Sequence, residues 1–303
     1  MIDFQKIDLA YAEQYKQYLF AASERGCEYS LANLYMWGRQ KVAQLHGCLL
    51  LFSQFQRKSV YPFPVGSGDV GAAIDAIIHD ARVRGLQCRL TSMTAADCAF
   101  LEERYPGQFQ FHPDRDSCDY VYNITDLATL PGRKFQRKRN HLNRFRQNHP
   151  DCQMVPICEE LLSAVKDMAE IWYAQRMESD PNNDFQLEQR ALNRACSHWN
   201  ELGLEGAALM EDGRILAIAI GSFLNETTFD VHFEKALEDV DGAYAAINQA
   251  FSAHLQKKYP DLLWLNREDD MGIPGLRKAK LSYCPDHLVV KFWANLLEED
   301  DER

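Results

Sequence analysis

No Cys-x-x-Cys pair occurs among the nine cysteines, at 27, 48, 88, 98, 118, 152, 158, 196 and 284. Their number is odd. A zinc ribbon or a disulfide framework is excluded as the organising feature, and most of the thiols are expected to pack as small buried hydrophobes. No apolar run approaches the ~20 residues that cross a bilayer; the longest, Gly47–Phe52 and Ile215–Leu224, are far shorter. The start MIDFQKIDLAYAEQYK lacks the basic and apolar regions of a signal peptide. A soluble, cytoplasmic protein is the expectation. Gly-x-Ser-x-Gly, His-Glu-x-x-His, the P-loop and the EF-hand spacing are absent. No metal site is expected.

What is present is ordinary in amount and uneven in distribution. The 303 residues correspond to about two domains at ~150 residues each. Hydrophobic residues make up 46% and charged residues 25%, which excludes disorder or coiled coil as the main architecture. Lys and Arg number 33 against 44 Asp and Glu, a net charge of −11. Any basic surface must therefore be local.

The pattern of periods reads as one schedule used twice. Ala10–Ala22 carries helical spacing, and Ser30 is placed to cap a second helix. Strands follow over Lys41–Leu45, Cys48–Phe55 and Ser59–Phe63, then a helix over Val70–Arg84 stopped by Gly85. Strand 88–91, helix 95–104 and further strand within 109–122 complete the half. The second half gives a strand at 153–157, helices at 161–177 and 185–202, and a hairpin around Asp212-Gly213. A third strand at 227–235, a helix at 242–258, a strand at 262–266, a short helix at 275–280 and a strand at 288–293 follow. The expected fold is α/β (α+β), two tandem domains over 1–130 and 131–303, each a mixed, mostly antiparallel sheet flanked by helices. The second opens with a basic helix over 131–148. Glu298–Arg303 reads as a solvated acidic tail.

Four segments carry candidate chemistry. The first is LPGRKFQRKRNHLNRFR, with Arg133, Lys134, Arg137, Lys138, Arg139, Asn140, Arg144 and Arg146, and no acidic residue between Asp126 and Asp151. A helix with Phe135, Leu142 and Phe145 inward presents these cations to a phosphate-bearing partner such as tRNA, a nucleotide or a phospholipid head group. The competing structural reading is a solvated basic face. The second is WLNREDDMGIPGLRKAKLSY, where Asn266, Arg267, Glu268, Asp269 and Asp270 crowd the end of a strand and Arg277, Lys278 and Lys280 follow. A carboxylate there can orient an amine or take its proton; mutual neutralisation is the alternative. The third is FDVHFEK. Strict alternation puts Asp230, His232 and Glu234 on one face, with His232 the best general-base candidate. The fourth is the turn Gly66-Ser67-Gly68 ahead of a helix, a weak anion-site signal.

The segments RKFQRKRNHLNRF, VHFEKA and NREDDMGIPGLRKAKLSYCP together resemble an uncharacterised bacterial family grouped with the C-terminal domain of phosphatidylglycerol lysyltransferases. The resemblance covers nearly the whole chain, and it implies a tandem GNAT-like (acyl-CoA N-acyltransferase) fold. It also implies kinship with Fem-type transferases, which take an amino acid from aminoacyl-tRNA. The multispanning membrane domain of the lysyltransferases has no counterpart in this sequence. The expected function is acyl or aminoacyl transfer, with aminoacyl-tRNA as donor, the basic helix on its phosphates, and an amine or hydroxyl as acceptor. His232, Glu234 or Asp269 would relay the proton, and Tyr283 would protonate the leaving group. Two alternatives stand beside it. One is an acetyl-CoA-dependent N-acetyltransferase, with acyl-CoA at Gly66, Ser67 and Gly68. The loop Glu238–Gly242 departs from the acetyl-CoA users' pattern. The other is a non-catalytic RNA- or nucleotide-binding module on a degenerate transferase fold.

Overall fold

The computed structural model describes residues 1–20, 25–55, 58–179 and 185–297. The end of the first expected helix, at 21–22, and the acidic tail 298–303 lie outside the described residues. The chain begins with β1 (Gln5–Lys6), α1 (Ala12–Phe20), α2 (Leu31–Trp37), β2 (Gln40–Leu45), β3 (Cys48–Phe55), β4 (Lys58–Pro62) and β5 (Val65–Gly66). It continues through α3 (Val70–Arg84), β6 (Arg89–Met93), α4 (Ala95–Arg104), β7 (Phe109–Pro113), β8 (Asp119–Asn123), α5 (Ile124–Thr129), α6 (Gln136–Asn148) and β9 (Gln153–Pro156). Then come α7 (Leu162–Ser179), α8 (Gln186–Ser197), β10 (Glu205–Glu211), β11 (Arg214–Phe223), β12 (Thr228–Ala236) and α9 (Ala243–Lys258). The last elements are β13 (Trp264–Asn266), α10 (Pro274–Leu281), β14 (His287–Val289) and β15 (Phe292–Leu296).

Local chemistry sets these boundaries. Ser30 caps α2 by accepting from Asn33 N, and Asp69 caps α3 by accepting from Ala72 N. Thr94 and Asp97 form a reciprocal capping box on α4. Gly85 ends α3 in the left-handed region. His46-Gly47 and Asp212-Gly213 all have positive φ, the backbone that a two-residue hairpin turn demands.

The chain divides into two compact units: residues 1–119 with 269–272 and the segment from 289, and residues 120–268 with 273–288. This differs from the expected division at 130/131. The reason lies in strand pairing. The first sheet runs β1-β2-β3-β4-β6-β15-β7, with β5 on β3; the second runs β14-β8-β13-β12-β11-β10-β9. Each sheet thus takes a strand from the far half of the sequence: β15 enters the first between β6 and β7, and β8 enters the second between β14 and β13. Hydrophobic alternation marks a strand but does not name its neighbour.

Both sheets are mixed. Most neighbours pair antiparallel, while β4 with β6 and β12 with β13 run parallel. In the first unit Leu50, Phe52, Tyr61, Ile74, Ile77 and Leu90 share one core. In the second, α9 lies on the central strands and buries Ile247, Phe251 and Leu255. Among the described residues no helix is long and apolar enough to cross a membrane.

Candidate functional site

The polar strand β12 is bulged at its centre. Phe233 pairs with Ile220, but Val231 pairs with Gly221, so His232 is the extra residue. Gly221 is required opposite: a Cβ there would collide with the Asp230 carbonyl oxygen. The bulge changes which residues share a face. Phe229 meets Phe251 of α9 edge to face at 5.8 Å, and Glu234 accepts from Asn248 of the same helix at 3.0 Å. Residues five apart on an unbroken strand point to opposite sides. The expectation that Asp230, His232 and Glu234 share one face is therefore corrected. Glu234 stands on the α9 side, and Asp230 and His232 on the other.

On the α9 side a compact cluster forms within the second unit. Arg267 Nη2 donates to Glu234 Oε1 at 2.7 Å, while Asn248 Nδ2 donates to Oε2 at 3.0 Å. The Glu234 and Arg267 side chains keep only 11% and 13% of their exposure. Arg267 Nη1 and Asn248 Oδ1 are buried with no hydrogen-bond partner among the described residues. The Arg267 guanidinium lies 4.6 Å from the centroid of the Tyr283 ring, and Lys138 Nζ lies 3.5 Å from it. Burial, reinforced by the Arg267 charge, pulls the Lys138 pKa down to about 8. Burial pushes the Tyr283 phenol up, with the Glu234 charge adding to the effect. Tyr122, also pushed up by burial, donates to the Lys280 carbonyl at 2.9 Å. The buried Lys280 amine in turn donates to the Arg267 carbonyl, tying α10 to the end of β13.

The other face holds a second polar group. His232 Nε2 is 2.9 Å from Ser222 Oγ, and Nδ1 is 3.1 Å from Glu268 and 3.5 Å from Asp230. Asn266 pairs across from Asp230 and accepts from Glu268 N at 2.7 Å, holding Glu268 at a φ of 56°. Asp230, His232 and Glu268 lie close enough to ligate one metal ion. So do Cys27, Glu28 and Asp119 in the first unit. There the Lys291 ammonium already bonds Asp119 at 2.6 Å and Glu28 at 2.7 Å, so the cationic position is filled by the protein.

The basic segment divides by role. Arg139 donates to the Leu130 and Gly132 carbonyls and to Gln136, so it closes the turn before α6. Lys134 pairs with Asp126, Asn140 accepts from Gln136, and Arg144 pairs with Asp241. Arg133 and Arg137 are exposed, with no ion pair among the described residues. Lys278 is exposed on α10, and Arg277 is half-buried there. Asp269 and Asp270 belong to the first unit, where they accept from Met271 N and Gly272 N and build a turn; Asp270 also pairs with Arg115.

Gly66, Ser67 and Gly68 stand before α3, and with Gly71 they have Gly-x-Gly-x-x-Gly spacing. Gly68 packs on the turn at His46-Gly47, where a Cβ would strike the His46 carbonyl oxygen. The Asp69 carboxylate caps the helix start, placing an anion where a phosphate would sit. The matching loop before α9 is acidic, and its Glu238, Asp239 and Asp241 pair with Arg176, Arg214 and Arg144. Tyr122 and Asn248 enter the α9-side cluster without a sequence signal. Both sit in apolar, regular elements, and only pairing of β8 with β13 and packing of α9 bring them in.

Residues 20–295 match the model of the family described as phosphatidylglycerol lysyltransferase, C-terminal. An uncharacterised protein of Mycoplasmoides gallisepticum is 24% identical over 209 residues, 69% of this chain and 65% of that protein. The chain thus matches just under two thirds of that relative's length. A conserved protein of unknown function from Bacteroides thetaiotaomicron is 36% identical in its crystal structure, covering 98% of this chain and 100% of that one, with a TM-score of 0.91. L-PGS from Bacillus licheniformis is 16% identical over 98% of this chain and 94% of its own, with a TM-score of 0.69. A tandem GNAT protein from the clavulanic acid biosynthesis pathway is 10% identical over 99% and 100%, with a TM-score of 0.51. The last two likenesses are of fold, and the fold is the tandem GNAT-like one.

Proposed function

This chain belongs to the phosphatidylglycerol lysyltransferase C-terminal family, and from that premise we propose that it moves an aminoacyl group from aminoacyl-tRNA to an amine or hydroxyl acceptor. The observation that carries the reading is Lys138. It is a half-buried amine on α6, which also presents Arg137 and follows the turn that presents Arg133, and it is held against Tyr283 beside the Glu234–Arg267 pair.

A lysine with a pKa of about 8 is partly neutral near physiological pH, and a neutral amine is a base. In the proposed step Lys138 takes the proton of the acceptor N–H or O–H as that atom attacks the ester carbonyl. The carbonyl oxygen becomes an oxyanion, and the free Nη1 of Arg267 donates to it. The ester C–O bond to the tRNA ribose then breaks, and Lys138 returns its proton to the leaving oxygen. Glu234 and Asn248 fix the guanidinium, and Tyr283 positions the amine. Arg133 and Arg137 hold the phosphate backbone. His232, Asp230 and Glu268 stand on the other face of β12, and the step does not use them. The acidic loop before α9 and the capped start of α3 both weigh against acyl-CoA as the donor.

The test is an electrophoretic shift with total aminoacylated tRNA over a salt series, with CoA as competitor. Binding that weakens with salt and ignores CoA is expected. No shift, together with a rise in melting temperature on adding CoA, overturns the reading.

A further inference from the structure

We propose that Asp230, His232 and Glu268 form a binding site for a divalent transition-metal ion of the zinc class, on the face of β12 turned away from α9. The site shares no residue with the transfer step above, and its test does not depend on that reading.

Two of the ligands come from β12. Asp230 and His232 stand two positions apart, and His232 is the extra residue of the bulge, a device that re-aims a side chain relative to its neighbours. The third comes from the strand alongside. β13 runs parallel to β12 with Asn266 opposite Asp230. Two residues later the Glu268 N–H donates to the Asn266 side chain at 2.7 Å, which fixes where the Glu268 carboxylate emerges. All three residues belong to the second unit.

Their spacing suits a metal. His232 Nδ1 is 3.1 Å from Glu268 Oε1 and 3.5 Å from Asp230 Oδ2, and the three ligand atoms lie within 4.8 Å of one another. An ion ~2.1 Å from each would subtend about 95° and about 113° across those two edges, close to the angles of octahedral and tetrahedral centres. Ser222 Oγ lies 2.9 Å from Nε2, placed to accept its N–H. Metal-bound histidines use their second nitrogen in this way, and the bond leaves the Nδ1 lone pair facing the two carboxylates. Ligands bind deprotonated, so the three bring two negative charges to a divalent ion. One imidazole nitrogen and two carboxylate oxygens favour an ion such as zinc over magnesium or calcium. The His232 and Asp230 side chains are 1% and 0% exposed, whereas that of Glu268 keeps 20%. Entry is therefore from the Glu268 side, and a water arriving there would complete the shell. Bound in this way, the ion clips β12 to the chain leaving β13. The competing arrangement is a proton on Nδ1, donated to Glu268, with no ion.

The experiment strips the full chain with EDTA, desalts it and titrates it with Zn²⁺ by calorimetry. Co²⁺ serves as a second, spectroscopic probe, because the nine cysteines offer zinc another home. The expected result is about one ion per chain and a melting temperature that climbs with Zn²⁺ concentration. The Co²⁺ spectrum should lack thiolate charge-transfer absorption. Glu268→Gln removes a ligand and Ser222→Ala removes the partner of Nε2, and each should weaken binding about tenfold or more. No heat and no melting shift overturn the inference and leave the proton in place. Equal binding by the parent, His232→Gln and Glu268→Gln also overturns it, as does a Co²⁺ spectrum dominated by thiolate, since the ion then sits on cysteine. If His232→Gln does not fold, Glu268→Gln, at the partly exposed ligand, carries the comparison.

Discussion

Lys138 Nζ rests 3.5 Å from the centre of the Tyr283 ring, and these residues are 145 positions apart in the chain (283 − 138). The contact joins α6 to the residues just after α10, and it explains how a lysine on a strongly basic helix comes to be half-buried with its pKa near 8. Lys134, in the turn just before that helix and paired with Asp126, has its pKa raised instead.

The first prediction concerns pH. If Lys138 is the base, transfer climbs as pH rises toward about 8 and levels off above it, because only the neutral amine accepts a proton. Lys138→Met abolishes the rate and its pH dependence. Stability moves in a defined direction too. The folded pKa lies below the unfolded value of 10.5, so the folded protein disfavours the charged amine. That cost is fully present below pH 8 and fades as pH rises through 8 to 10.5. Lys138→Met should therefore raise the urea midpoint at pH 7 and change it little above pH 10.

The ion pair beneath the site gives the second. Glu234→Ala leaves the Arg267 charge buried and without a carboxylate, at a cost of about 3–5 kcal/mol. Adding Arg267→Met should recover most of that loss. Urea unfolding of the two single variants and the double variant measures the coupling; simple additivity would contradict a buried pair.

The bulge supplies the third. Gly221→Ala puts a methyl group into the Asp230 carbonyl, and the backbone must give way. The expected loss is about 1–3 kcal/mol or more, read as a lower thermal midpoint. Gly213→Ala meets no neighbouring atom and should be milder, limited to the strain of its φ of 77°.

Two arginines two positions apart separate binding from folding. Arg137→Ala should weaken tRNA binding and reduce the salt slope by about one contact, with the melting temperature unchanged. Arg139→Ala should lower the melting temperature, because the Leu130 and Gly132 carbonyls lose their donor. Equal effects of both on stability would place Arg137 in the fold.

Lys291 makes the last case. It is 2% exposed and bonds Asp119 and Glu28, which raises its pKa well above the usual lysine value against the opposing effect of burial. Lys291→Met removes the counter-charge from Asp119 and Glu28, at a cost of about 3–5 kcal/mol. A melting curve unchanged at pH 7 would refute that account.

Much of this was legible in the residues. Helix caps at Ser30, Asp69 and Thr94, turns at His46-Gly47 and Asp212-Gly213, and the amphipathic stripe of Phe135, Leu142 and Phe145 are local features, and local features obey local chemistry. The basic segment announced itself by composition alone. The role of each cation in it did not. Arg139 closes a turn and Arg144 meets Asp241 because of where neighbouring loops come to rest. The alternation in FDVHFEK marked a polar strand, yet the bulge at His232 moved Glu234 to the other side. A bulge depends on the partner strand, here on Gly221.

By itself, then, the sequence determined most of the element order, the caps and turns and the existence of a basic helix, because each follows from residues within a few positions of one another, whereas the short helix α5 and the division of 288–293 between β14 and β15 did not show in it. Only the tertiary structure decided that β8 and β15 join sheets in the far half of the sequence, and that Lys138, Glu234, Asn248, Arg267 and Tyr283 converge. Those choices depend on which strand pairs with which, and backbone hydrogen bonds carry no sequence label. Pairing is settled by burial of whole faces at once, and no single residue records that sum.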